Sequence, residues 1–437
     1  MSERGVVITG LGVVSPGGLG IEELFDGVLS GRRAVKHIDL FDAASFPCRI
    51  AGQLDGFSAG KYVPKTYRKA VKVMARDIEI AVAAAGLAVR DAGITSIGID
   101  AENADVDSAR LGCNVGAGLI CADLNELGSA VNTAVTDGKF DFQVWGREGM
   151  NNLTPLWLLK YLPNMLACHV SIIHGAKGPS NTITCGEASG LLAVGEATRT
   201  IARGAADVVI AGGAESKLDP MGLLRQSLLG RLTTSGNEDP ASACRPFDAG
   251  HAGTVIGEGG GLLILEESDR AAGRGARAYA EVAGFGAACD PEALDHFGPG
   301  TGGLAPAVKA ALKDAGIGPE QVDLVVAQGT AVPAEDVAEA NALHQALGER
   351  AASVPVVSLT GAIGDLFAGA GGVNLAVAAM ALHKQTIPPA VNCEKVDDAC
   401  RVKVPTEAAA ARLGYALCES FTAGGQSAAV VLKRCES

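Results

Sequence analysis

Segment 178–190 contains the residue types and spacing most typical of a chemical site. A β-branched run at 182–184 predicts a strand, and the following apolar pattern predicts a helix from Leu191 to Arg203. Between them, small residues flank a single large side chain, Glu187, which describes a tight strand-to-helix elbow. An elbow of this kind aims its side chain at a helix amino terminus, where free N–H groups favour negative charge. Glu187 is therefore the first candidate functional residue.

Two glycine-rich segments suggest nucleotide chemistry, but neither fits it. The segment Gly10–Ser15 follows a predicted strand, yet it lacks the third glycine of a dinucleotide fingerprint and is followed by Pro16. The segment Gly257–Gly261 precedes a strand, and no Gly-Lys-Ser/Thr sequence occurs. We therefore predict neither a nicotinamide cofactor nor a nucleotide P-loop. The sequence also has no Cys-x-x-Cys pair, so no metal site is predicted.

The elements that must position the elbow follow an α/β pattern. Short apolar runs that end in glycine alternate with alanine-rich helical stretches, which is typical of βα units. The clearest predicted elements are strands at Val6–Gly10, Leu111–Val115, Val208–Gly213 and Gly261–Leu265, and a helix at Val71–Asp91.

An internal duplication is indicated by a repeated helix end. Leu87–Ile94 has a near copy at Ala310–Ile317, and each copy leads into a strand that ends in glycine. The chain has 437 residues, and a single core rarely grows past about 250–300 residues. We predict two fused halves joined near Ser268–Arg277, with domains at 1–267, which contains the elbow, and 268–437.

Composition excludes several classes of protein. The chain is 48% hydrophobic and 19% charged, which is too apolar for disorder. Its net charge is −13 and its Lys and Arg residues form no uninterrupted basic run, which disfavours nucleic acid as a partner. No apolar stretch is long enough to span a membrane. The 11 irregularly spaced cysteines are typical of reduced thiols and predict a cytoplasmic location.

Motifs along the whole chain resemble the β-ketoacyl-acyl-carrier-protein synthases, condensing enzymes of the thiolase fold. The resemblance is carried by Val7–Pro16, Asn164–His169, Gly178–Gly190, Ala211–Glu215, Arg245–Asp248, Gly257–Gly261 and Ser420–Gly425. It implies an α/β thiolase-like fold of two βαβαβαββ halves in five layers, αβαβα. In this fold, helices lie between two five-stranded mixed sheets.

The catalytic positions implied by the resemblance hold other residues. Glu187 stands at the position of the nucleophilic cysteine, and Gln328, in Gln-Gly-Thr, at that of the first histidine. Thr360 stands at the lysine position and Asp365 at that of the second histidine. Glu187 and Asp365 are expected to lie in one cluster, with Gln328 close by. Since the Cys-His-His set is missing, ordinary condensation is predicted to be absent.

Two functions remain open at this point. The chain resembles a chain-length factor, the non-catalytic homologue that pairs with a true ketosynthase in fatty-acid or polyketide synthesis, although Glu rather than Gln stands at the elbow. The alternative is a homodimeric enzyme that acts on carrier-bound acyl thioesters with Glu187 and Asp365 as an acid–base pair. Both readings need no cofactor, because the substrate is carried on the phosphopantetheine of an acyl carrier protein. Both also imply a dimer, formed with itself or with a ketosynthase through the strand at 181–184.

The resemblance also implies an acyl tunnel. Leu119 follows the Gly-x-Gly turn that leads to the far end of the tunnel, and Ile120 and Leu124 lie beside it. Trp157 is expected to reach the tunnel across the dimer interface, and Phe421 belongs to the glycine-rich gate. A tryptophan offers a wide apolar wall at low entropic cost.

Overall fold

The computed structural model describes residues 4–293 and 301–435. Its strands, numbered β1 to β17 in chain order, are Val6–Ser15, Gly18–Leu19, Val35–His37, Ile50–Gly52, Leu111–Ala117, Val135–Thr136, Lys139–Phe140, Ser180–Ile183, Val208–Ser216, Glu258–Glu267, Ala280–Cys289, Leu324–Ala327, Val356–Ser358, Thr386–Ile387, Ala409–Ala410, Tyr415–Phe421 and Gln426–Lys433. The α-helices of the described residues, numbered α1 to α13, are Ile21–Leu29, Arg76–Asp91, Leu124–Thr133, Phe142–Arg147, Trp157–Tyr161, Met165–His174, Ser189–Ala202, Pro220–Leu228, Ser268–Gly273, Leu304–Ala315, Pro333–Leu347, Thr360–Ile363 and Ala370–Lys384.

The sheet contains the same strand arrangement twice. In the first half, β1, β10, β9, β5 and β8 lie side by side in that order; in the second half the order is β11, β17, β16, β12 and β13. When the strands of each set are numbered 1 to 5 along the chain, both sets have the spatial order 1-5-4-2-3. In each set, the first two neighbouring pairs are antiparallel and the last two are parallel. This repetition confirms the thiolase-like α/β fold with βαβαβαββ halves.

Five layers follow from the packing of the helices on these strands. Helix α2 covers the outer face of the first set, and α10 and α11 cover that of the second. Helices α7 and α13 lie between the two sets. Every residue of α13 from Gly371 to Leu382 is buried. A helix that is apolar all round belongs in the interior of a large domain, which explains its central place.

The repeated helix ends make equivalent contacts in the two halves. The carboxylate of Asp91, at the end of α2, accepts the backbone N–H of Leu11 at 2.8 Å, and Asp314, in α10, accepts that of Phe285 at 2.9 Å. Each contact lies beside a β-bulge in the first strand of its half. A Cβ atom at Gly10 or Gly284 would overlap a carbonyl oxygen of the helix above it. The duplicated sequence therefore encodes the same packing contact between a helix and a strand in both halves.

Two local predictions need correction. The α-helix predicted over Val71–Asp91 begins only at Arg76, because Lys65–Val73 forms a 3-10 helix with no buried residue. The two predicted sheets are also not separate. Strands β1 and β11 pair through Val7–Glu281 and Ile8–Ala280, and this short ladder joins the ten strands into one hydrogen-bonded path.

Candidate functional site

The elbow has the geometry that the sequence predicts. Strand β8 ends at Ile183, a 3-10 turn covers Gly186–Ala188, and α7 begins at Ser189. Gly186 has a φ of 52°, and a Cβ atom there would lie 2.5 Å from the Thr422 hydroxyl, so the turn requires glycine. The Ser189 hydroxyl accepts the Cys185 N–H at 2.8 Å and donates to the Gly186 carbonyl at 2.6 Å. These bonds hold Glu187 at the apex, where it is only 5% exposed.

Arg231 is the partner of Glu187. One terminal nitrogen of its guanidinium, Nη1, donates to Glu187 Oε1 at 2.7 Å, and the other, Nη2, donates to Glu335 Oε2 at 3.0 Å. Nη2 also lies 3.8 Å from Asp365 Oδ2. Asp365 is 2% exposed, and its Oδ1 accepts the Phe367 N–H at 2.8 Å. The structure thus brings Glu187 and Asp365 into one cluster, as expected, but with a guanidinium between them.

The arginine separates the pKa values of the two carboxyl groups. Burial alone would raise the pKa of Glu187, but the attraction of Arg231, aided by backbone N–H groups and Lys217, holds it below its ordinary value. Burial raises the pKa of Asp365 to about 7, with Arg231 opposing the rise and Glu187 adding to it. At neutral pH the cluster therefore contains an ionised Glu187 and an Asp365 that is partly protonated.

Gln328 and Thr360 belong to a different set of hydrogen bonds. The Gln328 side-chain oxygen accepts the Ser420 hydroxyl and the Phe421 N–H, both at 2.8 Å. The Thr360 hydroxyl donates to the Gln328 carbonyl oxygen at 2.9 Å. The amide nitrogen Gln328 Nε2 is buried and has no hydrogen-bond partner within residues 4–293 and 301–435. Gln328 is thus fixed by the gate segment, and neither it nor Thr360 bonds to the arginine cluster.

A cavity of about 500 Å³ opens onto the apex. Its polar lining includes Glu187, Lys217, Arg231 and Glu335, and much of the remaining wall is apolar. The Lys217 ammonium is half-buried, pairs with Glu215 and lies 4.4 Å from the centroid of the Phe367 ring. Asp365 is not part of the wall. A molecule in this cavity would therefore meet Glu187 but not Asp365.

The predicted tunnel residues fall into three environments. Ile120 is buried and Leu124 is 45% exposed, and both line a second cavity of about 340 Å³ together with Tyr161. Leu119 is 59% exposed, and Trp157 is half-buried, with its ring 4.9 Å from that of Tyr161. Phe421 is buried against the second half of the sheet. Within one chain, the tunnel residues do not form a single lined channel.

Sequence reasoning missed Arg231, Glu335 and Lys217. None of them belongs to a motif quoted for the resemblance. A usable signal was nevertheless present, because the elbow and the second histidine position both carry acids. Buried carboxylates need a cation or a proton, so two acids at one site predict either a hidden arginine or lysine or a shared proton.

A basic surface segment was also missed, because its cations are spread singly rather than in a run. Five exposed cations lie within twelve residues around the 3-10 helix Lys65–Val73: Lys61, Lys65, Arg68, Lys69 and Lys72. None of them forms an ion pair with the residues that the structure describes. On a chain with a net charge of −13, they form a local positive surface.

Comparison with known proteins identifies the family. The family model described as "Beta-ketoacyl synthase, N-terminal domain" matches residues 3–271, and that described as "Beta-ketoacyl synthase, C-terminal domain" matches residues 279–394. The chain belongs to the β-ketoacyl synthase family. It is 34% identical to 3-oxoacyl-(acyl-carrier-protein) synthase 2 of Vibrio cholerae, over 99% of this chain and 100% of the relative.

Two solved ketosynthase structures are similar over nearly the whole chain. The structure titled "The ishigamide ketosynthase/chain length factor" has a TM-score of 0.84 and 27% identity, covering 99% of this chain and 100% of the other. A type II polyketide synthase ketosynthase in complex with its acyl-carrier protein, "AntDE:AntF", has a TM-score of 0.82 and 26% identity, with the same coverage. The β-ketoacyl synthase fold therefore covers nearly the whole of the part of this chain that the structure describes.

Two further features are absent from the residues that the structure describes. Among residues 4–293 and 301–435, no helix combines the length and the apolar character needed to cross a membrane. Within the same residues, no group of three or more His, Cys, Asp or Glu side chains could hold a metal ion.

Proposed function

We propose that this β-ketoacyl synthase homologue is a chain-length-factor-type subunit, the non-condensing partner of a Cys-His-His ketosynthase in fatty-acid or polyketide synthesis. The observation that carries the proposal is the 2.7 Å ion pair between Glu187 and Arg231 at the apex of the elbow. The residue at the nucleophile position is an ionised carboxylate that is already paired with the Arg231 guanidinium.

The chemistry of Glu187 argues against condensation. A thiolate accepts an acyl group from a thioester at little energetic cost, whereas a carboxylate would form a mixed anhydride, which is more reactive than the thioester that donates the acyl group. Decarboxylation also needs donors for the developing enolate oxygen. The Gln328 side chain is held by Ser420 and Phe421, and Asp365 lies outside the cavity wall.

The charge of the cavity also argues against a malonyl group. Four carboxyl groups, those of Glu187, Glu215, Glu335 and Asp365, surround two cations, Arg231 and Lys217. Asp365 is only partly ionised at neutral pH, but the net charge of these six groups remains negative. A malonyl carboxylate would enter against like charge in a site of low dielectric.

The geometry favours this proposal over the acid–base enzyme. A carboxyl pair that transfers protons must reach the same substrate, by direct contact or through one water molecule. Glu187 lines the cavity, Asp365 does not, and Arg231 contacts both. The pKa values of the two carboxyl groups differ as an acid–base pair requires. A substrate in the cavity could reach only Glu187, however.

The surface around β8 supports a partner of the same fold. Strand β8 lies at one end of the ten-strand path, so its outer edge is free to pair with another strand. Large apolar side chains that are exposed in the single chain include Leu119, Leu156, Leu158 and Ile172. We assign this surface to a dimer interface, with a ketosynthase as the preferred partner.

An acyl carrier protein is the second proposed partner. The similarity to the ketosynthase solved with its acyl-carrier protein supports this assignment. The basic segment around Lys65–Val73 offers five exposed cations to an acidic surface. Attraction of this kind speeds encounter without fixing a permanent complex.

Trp157 tests the tunnel assignment. We expect Trp157→Ala to lengthen the products of a paired ketosynthase while the two chains still copurify, because the substitution removes a wide apolar wall. Product length, measured by mass spectrometry, is the readout, and Trp145→Ala, in α4, is the matched control. Loss of the complex with unchanged product length would instead identify Trp157 as a structural residue of the interface.

Co-expression with a ketosynthase tests the proposed function itself. A tagged copy of this chain is expected to capture an untagged Cys-His-His ketosynthase in a 1:1 ratio. Capture of only a second copy of this chain, from cells that express both proteins equally, would contradict the proposal.

A further inference from the structure

Two buried glutamates lie beneath the turn that carries Gln328. Glu339 comes from α11 and Glu419 from β16, and neither is exposed to solvent. The Gln328 N–H lies 2.9 Å from Glu339 Oε1 and 3.4 Å from Glu419 Oε1, while the Gly329 N–H donates to Glu339 Oε2 at 3.0 Å. Glu339 and Glu419 are also side-chain hydrogen-bond partners of each other, so the two carboxyl groups are in contact.

The surroundings of this pair contain too little positive charge for two anions. No Lys, Arg or His of residues 4–293 and 301–435 forms an ion pair with Glu339 or Glu419. The nearest further ionisable group on α11, Asp336, adds negative charge, although His251 pairs with it. The thiol of Cys418, next to Glu419, is buried, which keeps it neutral. Glu419 Oε2 has no hydrogen-bond partner among the described residues.

Two ionised carboxyl groups in contact inside a protein repel each other and lack solvation, so one of them takes up a proton. We propose that Glu339 and Glu419 share one proton and form an acid pair that holds the Gln328–Gly329 turn in place. The remaining negative charge accepts the two backbone N–H groups of the turn. The pair thereby acts as a positioning device for Gln328, whose side chain in turn binds Ser420 and Phe421.

The pair makes the stability of the protein depend on pH. Burial first, and then the charge of Glu419, raise the pKa of Glu339 well above its ordinary value; burial also raises that of Glu419. A carboxyl group with a raised folded-state pKa adds stability below its unfolded pKa and loses it as the pH rises through the folded value. The pair therefore destabilises the protein progressively as the pH rises above about 4.5.

The pH dependence of thermal unfolding tests the inference. Glu419→Gln keeps the size of the side chain and supplies a permanent N–H donor to Glu339. We expect its unfolding temperature to exceed that of the unsubstituted chain by about 2–4 °C at pH 9 and to match or fall below it at pH 5. Glu349→Gln, at an exposed site in the 3-10 helix that follows α11, is the control and should shift neither value.

Infrared spectroscopy tests the proton without requiring a variant to fold. Chain labelled with ¹³C-glutamate should show, at pH 8, a carbonyl band of a protonated carboxylic acid that shifts with the label. A second outcome, absence of the band together with a stability that rises on adding K⁺ or Mg²⁺, would overturn the shared proton in favour of a bound cation. Absence of the band without any cation effect would overturn it as well.

Discussion

Replacing Arg231 with methionine is expected to cost about 3–5 kcal/mol of unfolding free energy. The substitution keeps much of the apolar stem but leaves Glu187 and Glu335 buried without their cation. Removing one partner of a buried ion cluster is far more costly than removing the whole cluster, because the remaining charges are not solvated. Urea-induced unfolding, followed by far-ultraviolet circular dichroism at pH 7.5, measures the loss.

Two further variants make this result specific. Arg225→Met, on the exposed side of α8, should change stability by no more than about 0.5 kcal/mol. Adding Glu187→Gln and Glu335→Gln to Arg231→Met should restore most of the loss, since neutral amides need no cation. If Arg231→Met were as harmless as Arg225→Met, the arginine cluster would not be the structural centre of the elbow.

Glu187→Cys is expected not to restore condensation. The new thiol would lie beside Arg231, which favours its thiolate form, so transfer of an acyl group from a carrier thioester to residue 187 becomes feasible. Decarboxylation of malonyl-carrier should still fail, because Gln328 and Asp365, which stand at the two donor positions, do not line the cavity that opens onto residue 187. Each missing donor costs roughly 10²–10³-fold in rate. Condensation should therefore remain at least about 10²-fold below that of a Cys-His-His ketosynthase.

Intact-protein mass spectrometry separates these two half-reactions. Acylated Glu187→Cys without any condensation product is the expected result, and Glu187→Gln, which should not be acylated, is the control. Condensation by the single variant at a rate within tenfold of a true ketosynthase would contradict the assignment of Gln328 and Asp365 as inactive positions.

The duplicated fold was predictable because its information is local and repeated. Gly10 and Gly284 mark the same close approach of helix and strand, and Asp91 and Asp314 make the same hydrogen bond in each half. The elbow was predictable for a similar reason, since Gly186 and the residues around Glu187 are contiguous. In both cases a few neighbouring residues determine the geometry.

The partners of the site were not predictable, because tertiary contacts bring them from distant segments. Arg231 follows a helix with exposed leucines and belongs to no motif, yet it joins Glu187 to Glu335. Glu339 and Glu419 lie on different elements, and only the turn at Gln328 brings them together. The sequence therefore predicts where acids stand, but not which charge or proton balances them.

The central claim, that this chain is the non-condensing half of a two-chain ketosynthase, is tested most directly by assigning activity to each chain of the captured complex. The complex is assayed for elongation of a carrier-bound acyl chain with either Glu187→Gln in this chain or alanine in place of the partner's nucleophilic cysteine. We expect the first complex to retain elongation within about twofold, because Gln can still accept the Arg231 hydrogen bond, and the second to lose it entirely. Loss of elongation with Glu187→Gln, while the complex stays intact, would contradict the account and identify Glu187 as a catalytic group.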